Sequence, residues 1–99
     1  MSLFAKRLKE ARVRAGLSQE KVGLMAGFDE MSASARMNQY ETGKHVPVFS
    51  DAERIAVVLK VPPAYFYADD DTARLLLIFH SLGRDAKSKL IKLAESWLT

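Results

Sequence analysis

The stretch Leu17-Ser-Gln-Glu-Lys-Val-Gly-Leu-Met-Ala-Gly27 decides the fold, together with Met37-Asn-Gln-Tyr-Glu-Thr-Gly-Lys44 downstream of it. Ser18 is suited to an N-cap, because its hydroxyl can accept from an unpaired first-turn amide. Gln19 and Glu20 follow, and a negative charge suits that end of the helix dipole. Gly27 closes the segment, so the helix is short, running from Gln19 to Ala26. Upstream, Phe4, Leu8, Ala11 and Ala15 recur at i, i+4, i+7 and i+11, one face of a helix from Leu3 to Ala15. Gly16 ends that helix. With so short a link between them, the two helices must cross at a steep angle.

That pair begins a helix-turn-helix unit. Phe28 and a polar stretch, Asp29-Glu-Met-Ser32, lead to a third helix from about Ser32 to Thr42, stopped by Gly43. With Met37 at the centre of its inner face, Ala33 and Tyr40 fall beside it at 100° per residue. Tyr40 is therefore read as core. Ala35, Asn38, Gln39 and Thr42 point the other way, with Ser34 and Arg36 on the flanks. Asn and Thr are poor helix formers, and a plain solvent face would favour Lys, Glu or Ala. Amides, hydroxyls and one methyl instead suit the edges of bases.

The remainder is also helical. Ser50-Asp-Ala-Glu53 reads as a capping box opening a fourth helix, with Ala52, Ile55, Ala56, Val58 and Leu59 on its core face. Val61-Pro-Pro63 ends it and begins a short fifth helix that carries Tyr65, Phe66 and Tyr67. Three aspartates, Asp69 to Asp71, cap a sixth helix from Thr72 to Leu82. Gly83 breaks it, and a seventh runs from about Arg84 to Leu98. Strand signals are nearly absent, so the expected fold is all-α.

Composition narrows the function. The 99 residues contain no cysteine, which excludes disulfides, thiolate catalysis and Cys-based zinc sites. The longest apolar run, Leu75-Leu-Leu-Ile-Phe79, falls far short of the ~20 residues that cross a bilayer. Charge appears by Lys6, without the apolar core of a secretory signal, and the expected location is the cytoplasm. The net charge is only +3, but it is uneven. Residues 1–45 carry eight basic side chains against five acidic ones, and the rest balances. Such a segment can track phosphates, or it can be a solvated basic face. Lys6, Arg7 and Arg14 belong to that open question. His45 and His80 have no partner at metal spacing. Asp69 to Asp71 lack the glycine and terminal glutamate of a calcium loop. No nucleophile-base arrangement or phosphate-cradling loop appears. No metal, cofactor or enzymatic activity is expected.

The two opening stretches, with Pro47 behind them and then Ile55-Ala56 and Leu59-Lys-Val61, resemble the DNA-binding domains of phage repressors and Cro proteins, the XRE family. The resemblance covers about residues 4–68. It implies a five-helix, lambda-repressor-like domain over 1–68, followed by two additional helices in an extension over 69–99. It implies base contacts from Ala35 and Gln39, with Ser34 beside them, and phosphate contacts from Gln19 and Lys44. The outward face of the third helix adds Asn38 to the expected base contacts, and Ser18, Arg36, Thr42 and His45 are expected to meet phosphates as well. For Arg36, a base contact or solvent exposure are further readings. Arg12 and Glu41 match a structural salt bridge between the first and third helices. Gln offers adenine a paired donor and acceptor, Asn can do likewise, and an Ala methyl can pack on the methyl of thymine.

Two features depart from the family. About four extra residues fall in Asp29 to Ala33, read as a longer turn with Ser32 as N-cap. Lys60 stands where a glycine is usual, so either it adopts a left-handed conformation or the helix ends differently. Gly23 inside the second helix marks a close helix–helix approach. The resemblance implies a sequence-specific transcriptional regulator, read as a repressor, on double-stranded DNA with two-fold symmetry. Leu75 to Phe79 is apolar nearly all round a helix, where a surface helix needs only a stripe. A homodimer surface is therefore expected at Tyr65, Tyr67, Leu76, Phe79 and Trp97. The alternative is an antitoxin-like or other interaction module whose last two helices bind a different protein.

Overall fold

The computed structural model describes residues 2–99; Met1, at the head of the expected 1–68 unit, lies outside them. Six α-helices and one 3-10 turn follow in order. They are α1 (Leu3–Ala15), α2 (Gln19–Met25), α3 (Ala33–Glu41), α4 (Phe49–Leu59), the turn Pro63–Tyr67, α5 (Asp70–Ser81) and α6 (Arg84–Ser96). The architecture is all-α, as the periodicity predicts. Local chemistry accounts for several ends. The Ser18 hydroxyl accepts the Lys21 N–H at 3.0 Å, and the Asp69 carboxylate accepts that of Thr72 at 2.9 Å. Gly16 closes α1 in the left-handed region at φ 72°, where a Cβ is penalised.

Two helix starts differ from the sequence reading. Ser32 stands at the N-cap of α3 as read, but its side chain makes no cap hydrogen bond; Asp29 instead holds the turn before it. The Asp29 carboxylate accepts the Met31 N–H at 3.0 Å, and its carbonyl accepts those of Ser32 and Ala33. The inserted residues thus form a self-supported turn, an Asx turn of the kind aspartate favours. The Ser50–Glu53 capping box does not form either. Helix α4 begins at Phe49, with Val48 in extended backbone as N-cap, so Ser50 already lies inside the first turn. Asp51 turns inward to Arg36 and Arg54. A hydroxyl cap contributes about 1 kcal/mol, and two guanidinium partners outweigh it.

At the end of α4, Lys60 takes the left-handed conformation at φ 58°. Among the described residues it is the one non-glycine with positive φ. That conformation costs a side-chain-bearing residue about 1–2 kcal/mol, partly offset because glycine loses more chain entropy on folding. Lys60→Gly is therefore expected to stabilise the protein by about 0.5–1 kcal/mol, a rise in Tm of several degrees for a domain this small. An unchanged or lower Tm in thermal denaturation would show that the strain is absent.

The core lies where α1, α2, α3, α4 and the 3-10 turn meet. Leu8, Val22, Met37, Ile55, Tyr65 and Phe66 are its largest fully buried side chains. Phe4 packs on Phe66 with ring centroids 5.0 Å apart. The C-terminal helices extend away from this core. Helix α5 touches it through Ala73, Leu76 and Leu77, and α6 buries no residue. The radius of gyration is 15.2 Å, with extents of 53 × 26 × 23 Å. A compact chain of this length would have about 12.6 Å, so the molecule is elongated.

Arg7 ties α5 to the core. Its side chain is only 4% exposed; Nε donates to the Ala68 carbonyl at 3.0 Å and Nη2 to Asp70 at 2.6 Å. The Arg7 guanidinium, and then Lys6, hold the Asp70 carboxyl below its ordinary range. The Thr72 backbone N–H lowers Asp69 in the same direction. A carboxyl depressed on folding adds stability above its unfolded pKa of about 3.9, and that stability is lost as pH falls through the lower folded value. The start of α5 is therefore expected to loosen below about pH 4. Amide exchange over Thr72–Leu76, compared with Leu8 at pH 5 and pH 3, reads this directly. Equal protection ratios at both values would count against it.

Candidate nucleic-acid interface

Helix α3 is seated against α2 at almost no distance. A Cβ built on Gly23 would lie 2.9 Å from both the Cβ and the carbonyl oxygen of Ala33. Only glycine lets the two backbones approach so closely. The inner face of α3 is Ala33, Met37, Tyr40 and Glu41, all buried. Its rotation is pinned by Arg12, which donates through Nε and Nη2 to Glu41 at 2.5 and 3.0 Å. Glu41 is 3% exposed, and its hydrogen bond holds the Arg12 guanidinium above its ordinary value, securely charged. Arg12 also donates to the Leu17 carbonyl at 2.9 Å. One ion pair therefore joins α1, the α1–α2 link and α3.

With the inner face pinned, the other face carries the remaining polar groups outward. Ser34, Ala35, Asn38 and Thr42 are exposed and Gln39 is half-buried, at spacings that share one side of the helix. The Gln19 amide lies across the α2–α3 junction and donates to both Asn38 and Glu41 at 3.3 Å. The Thr42 hydroxyl donates back to the Asn38 carbonyl at 2.9 Å, which leaves its oxygen lone pairs available. Ser18 is exposed and engaged as the α2 cap. Lys44 and His45 follow α3 on the exposed loop. The His45 backbone N–H donates to the Gln39 carbonyl at 3.2 Å, which folds this loop back beside the helix end.

Arg36, expected at a phosphate, also takes part in a cluster between α3 and α4, with 36% of its side chain exposed. Its guanidinium lies 4.0 Å from the centroid of Phe28, and Nη2 donates to the Tyr40 hydroxyl and to Asp51, each at 3.0 Å. Arg54 stacks on the same ring at 5.5 Å and also pairs with Asp51. This cluster clamps α3 to α4, and its members are spread from Phe28 to Arg54, so helical spacing carried no signal of it. Tyr65, expected on a dimer surface, is 1% exposed. The 3-10 turn folds back on α1 and inserts Tyr65 into the core, where its hydroxyl reaches Glu10 and Arg14. Among the other residues of that group, Tyr67 and Trp97 are exposed and Leu76 and Phe79 are half-buried.

A short α2 crossing a second helix at a glycine contact, with the outer face of that helix lined by amides and hydroxyls, is the arrangement of a helix-turn-helix nucleic-acid reader. A family model described as "Helix-turn-helix domain" matches residues 3–65, and the chain belongs to that family, in its repressor and Cro type. The chain is also similar to the transcriptional regulator BswR. That crystal structure matches with a TM-score of 0.85 and 47% identity, over 93% of this chain and 92% of that one. The correspondence therefore includes α5 and α6, beyond the family match. Comparison with curated proteins gives no match. Among the described residues no helix is long and apolar enough to cross a membrane, and no three potential metal ligands gather.

Proposed function

We propose that this protein is a sequence-specific DNA-binding transcriptional regulator of the cytoplasm, acting as a repressor on an operator with two-fold symmetry. The observation that carries the reading is the outer face of α3, whose hydrogen-bonding groups are presented by a rigid α1–α2–α3 frame. In this reading α2 braces the backbone and α3 enters the major groove. Ser34, Ala35, Asn38 and Gln39 meet base edges; Ser18, Gln19, Thr42, Lys44 and His45 meet phosphates. The Gln39 amide has no partner within the described residues, so it keeps the paired donor and acceptor that adenine requires.

The test separates the two contact classes. Gln39→Ala is expected to lose about 1–3 kcal/mol on the selected site and little on random duplex. Lys44→Ala is expected to weaken all sequences alike and to lower the slope of log affinity against log salt by about 1. Fluorescence anisotropy titrations on both duplexes, over a salt series, read both effects. Equal losses for Gln39→Ala on the two duplexes would overturn the base-reading assignment.

The same reading includes a homodimer through α5 and α6. Leu75, Ile78, Ile91, Leu93 and Leu98 are exposed, and Trp97 is 71% exposed. An isolated helix of 13 residues is marginal in water, so α6 needs a cover. A second copy is the occupant that also places two recognition helices about one DNA turn, ~34 Å, apart. Sedimentation at micromolar protein should give twice the chain mass. A monomer mass with and without DNA would remove the dimer, and stoichiometric co-purification of another protein would favour the interaction-module alternative.

A further inference from the structure

The hydrogen-bond chain running from Arg12 to Asn38 has a polarity, and that polarity reaches the base-facing surface. Both oxygens of the Glu41 carboxylate accept hydrogen bonds from Arg12, so this side chain faces its neighbours as an acceptor. Gln19, 3.3 Å from the Glu41 carboxylate, must therefore turn its NH2 group toward it and not its carbonyl. That nitrogen has two hydrogens, and the second is directed at Asn38, also at 3.3 Å. A donor approaching Asn38 requires its Oδ1 in return. The Asn38 carbonyl is held toward Gln19, and its Nδ2, without a partner among the described residues, is left as the free end of the chain.

We propose that Asn38 acts as a donor-only reader and selects guanine rather than adenine at its base pair. This inference rests on the reading of Asn38 as a base-facing residue. An unconstrained Asn offers a donor and an acceptor together, which is the complement of adenine N7 and N6. An Asn whose oxygen is held toward Gln19 turns its NH2 hydrogens, rather than a paired donor and acceptor, toward the base. Guanine presents two acceptors, N7 and O6, whereas cytosine presents its N4 amino group and meets donor with donor. Specificity at this position is thus set through Gln19 by a carboxylate that itself lies behind the reading surface. Gln19 is a positioning residue here, distinct from any phosphate it also touches.

Selection of bound duplexes from a random library, with the wild type and three folded variants, tests this. The wild type should prefer guanine at one position by roughly 5- to 150-fold over cytosine, the range of one good base contact. Asn38→Asp, similar in shape but accepting only, should move the preference at that position to cytosine. Asn38→Ala should flatten it. Gln19→Ala should release the Asn38 amide and let adenine rival guanine there, a change of base identity that loss of a phosphate contact cannot produce. Adenine at that position in the wild type, or an intact guanine preference in Gln19→Ala, would overturn the inference. If neither Asn38→Asp nor Asn38→Ala alters any position, the base-facing reading fails and the inference falls with it.

Discussion

Glu41→Ala is expected to destabilise the protein by about 3 kcal/mol. Removing one partner of a buried ion pair typically costs 3–5 kcal/mol, because the other charge is stranded. The lower end applies for two reasons. Arg12 retains the Leu17 carbonyl at 2.9 Å, and at 16% exposure it still reaches some water. A second consequence follows from the hydrogen-bond chain: Gln19 loses its fixed orientation, so DNA binding should fall even where the variant is fully folded. Urea denaturation measures the first effect, and anisotropy titration at low temperature the second. A cost below 1 kcal/mol would mean that the pair behaves as an exposed one. Replacing both partners with apolar residues of similar volume should restore much of the stability but not the DNA affinity.

Gly23→Val is expected to cost about 3 kcal/mol, at the upper end of what overpacking a tight contact costs. Helix propensity alone argues the other way, since glycine inside a helix is about 1 kcal/mol worse than alanine. The geometry decides between them. The added carbon would meet the Ala33 carbonyl oxygen at 2.9 Å and its carbonyl carbon at 3.1 Å, and backbone has no rotamer with which to move aside. Relief requires α3 to slide from α2, which opens the 3.3 Å contact between Gln19 and Asn38. Gly23→Val should therefore lose discrimination between selected and random duplex as well as Tm. Gly23→Ala gives the sharper comparison: a rise in Tm would show that propensity outweighs the contact.

The sequence by itself determined the helices and the face that α3 turns inward, because both follow from short-range periodicity. Met37, Ala33 and Tyr40 fall on one side by helical spacing alone, and burial falls on that side. The cap at Ser18 was equally local and equally legible, whereas the long turn after Phe28 stood out against the family pattern, and the close approach at Gly23 is a contact between two helices. Tertiary structure decided which charged and aromatic side chains are spent inside the molecule. Arg7 binds Ala68 and Asp70, more than sixty residues away, and Arg36 finds Asp51 across a helix boundary. In sequence each looks like one more exposed cation. The same holds for Ser50, displaced from its cap because Asp51 has better partners in space. Tyr65 likewise went inward because a 3-10 turn folds back, a rotation that five residues do not encode. Periodicity reports which side of an element meets the core, whereas the choice of ionic partner is made by neighbours that only the folded chain brings within hydrogen-bond reach.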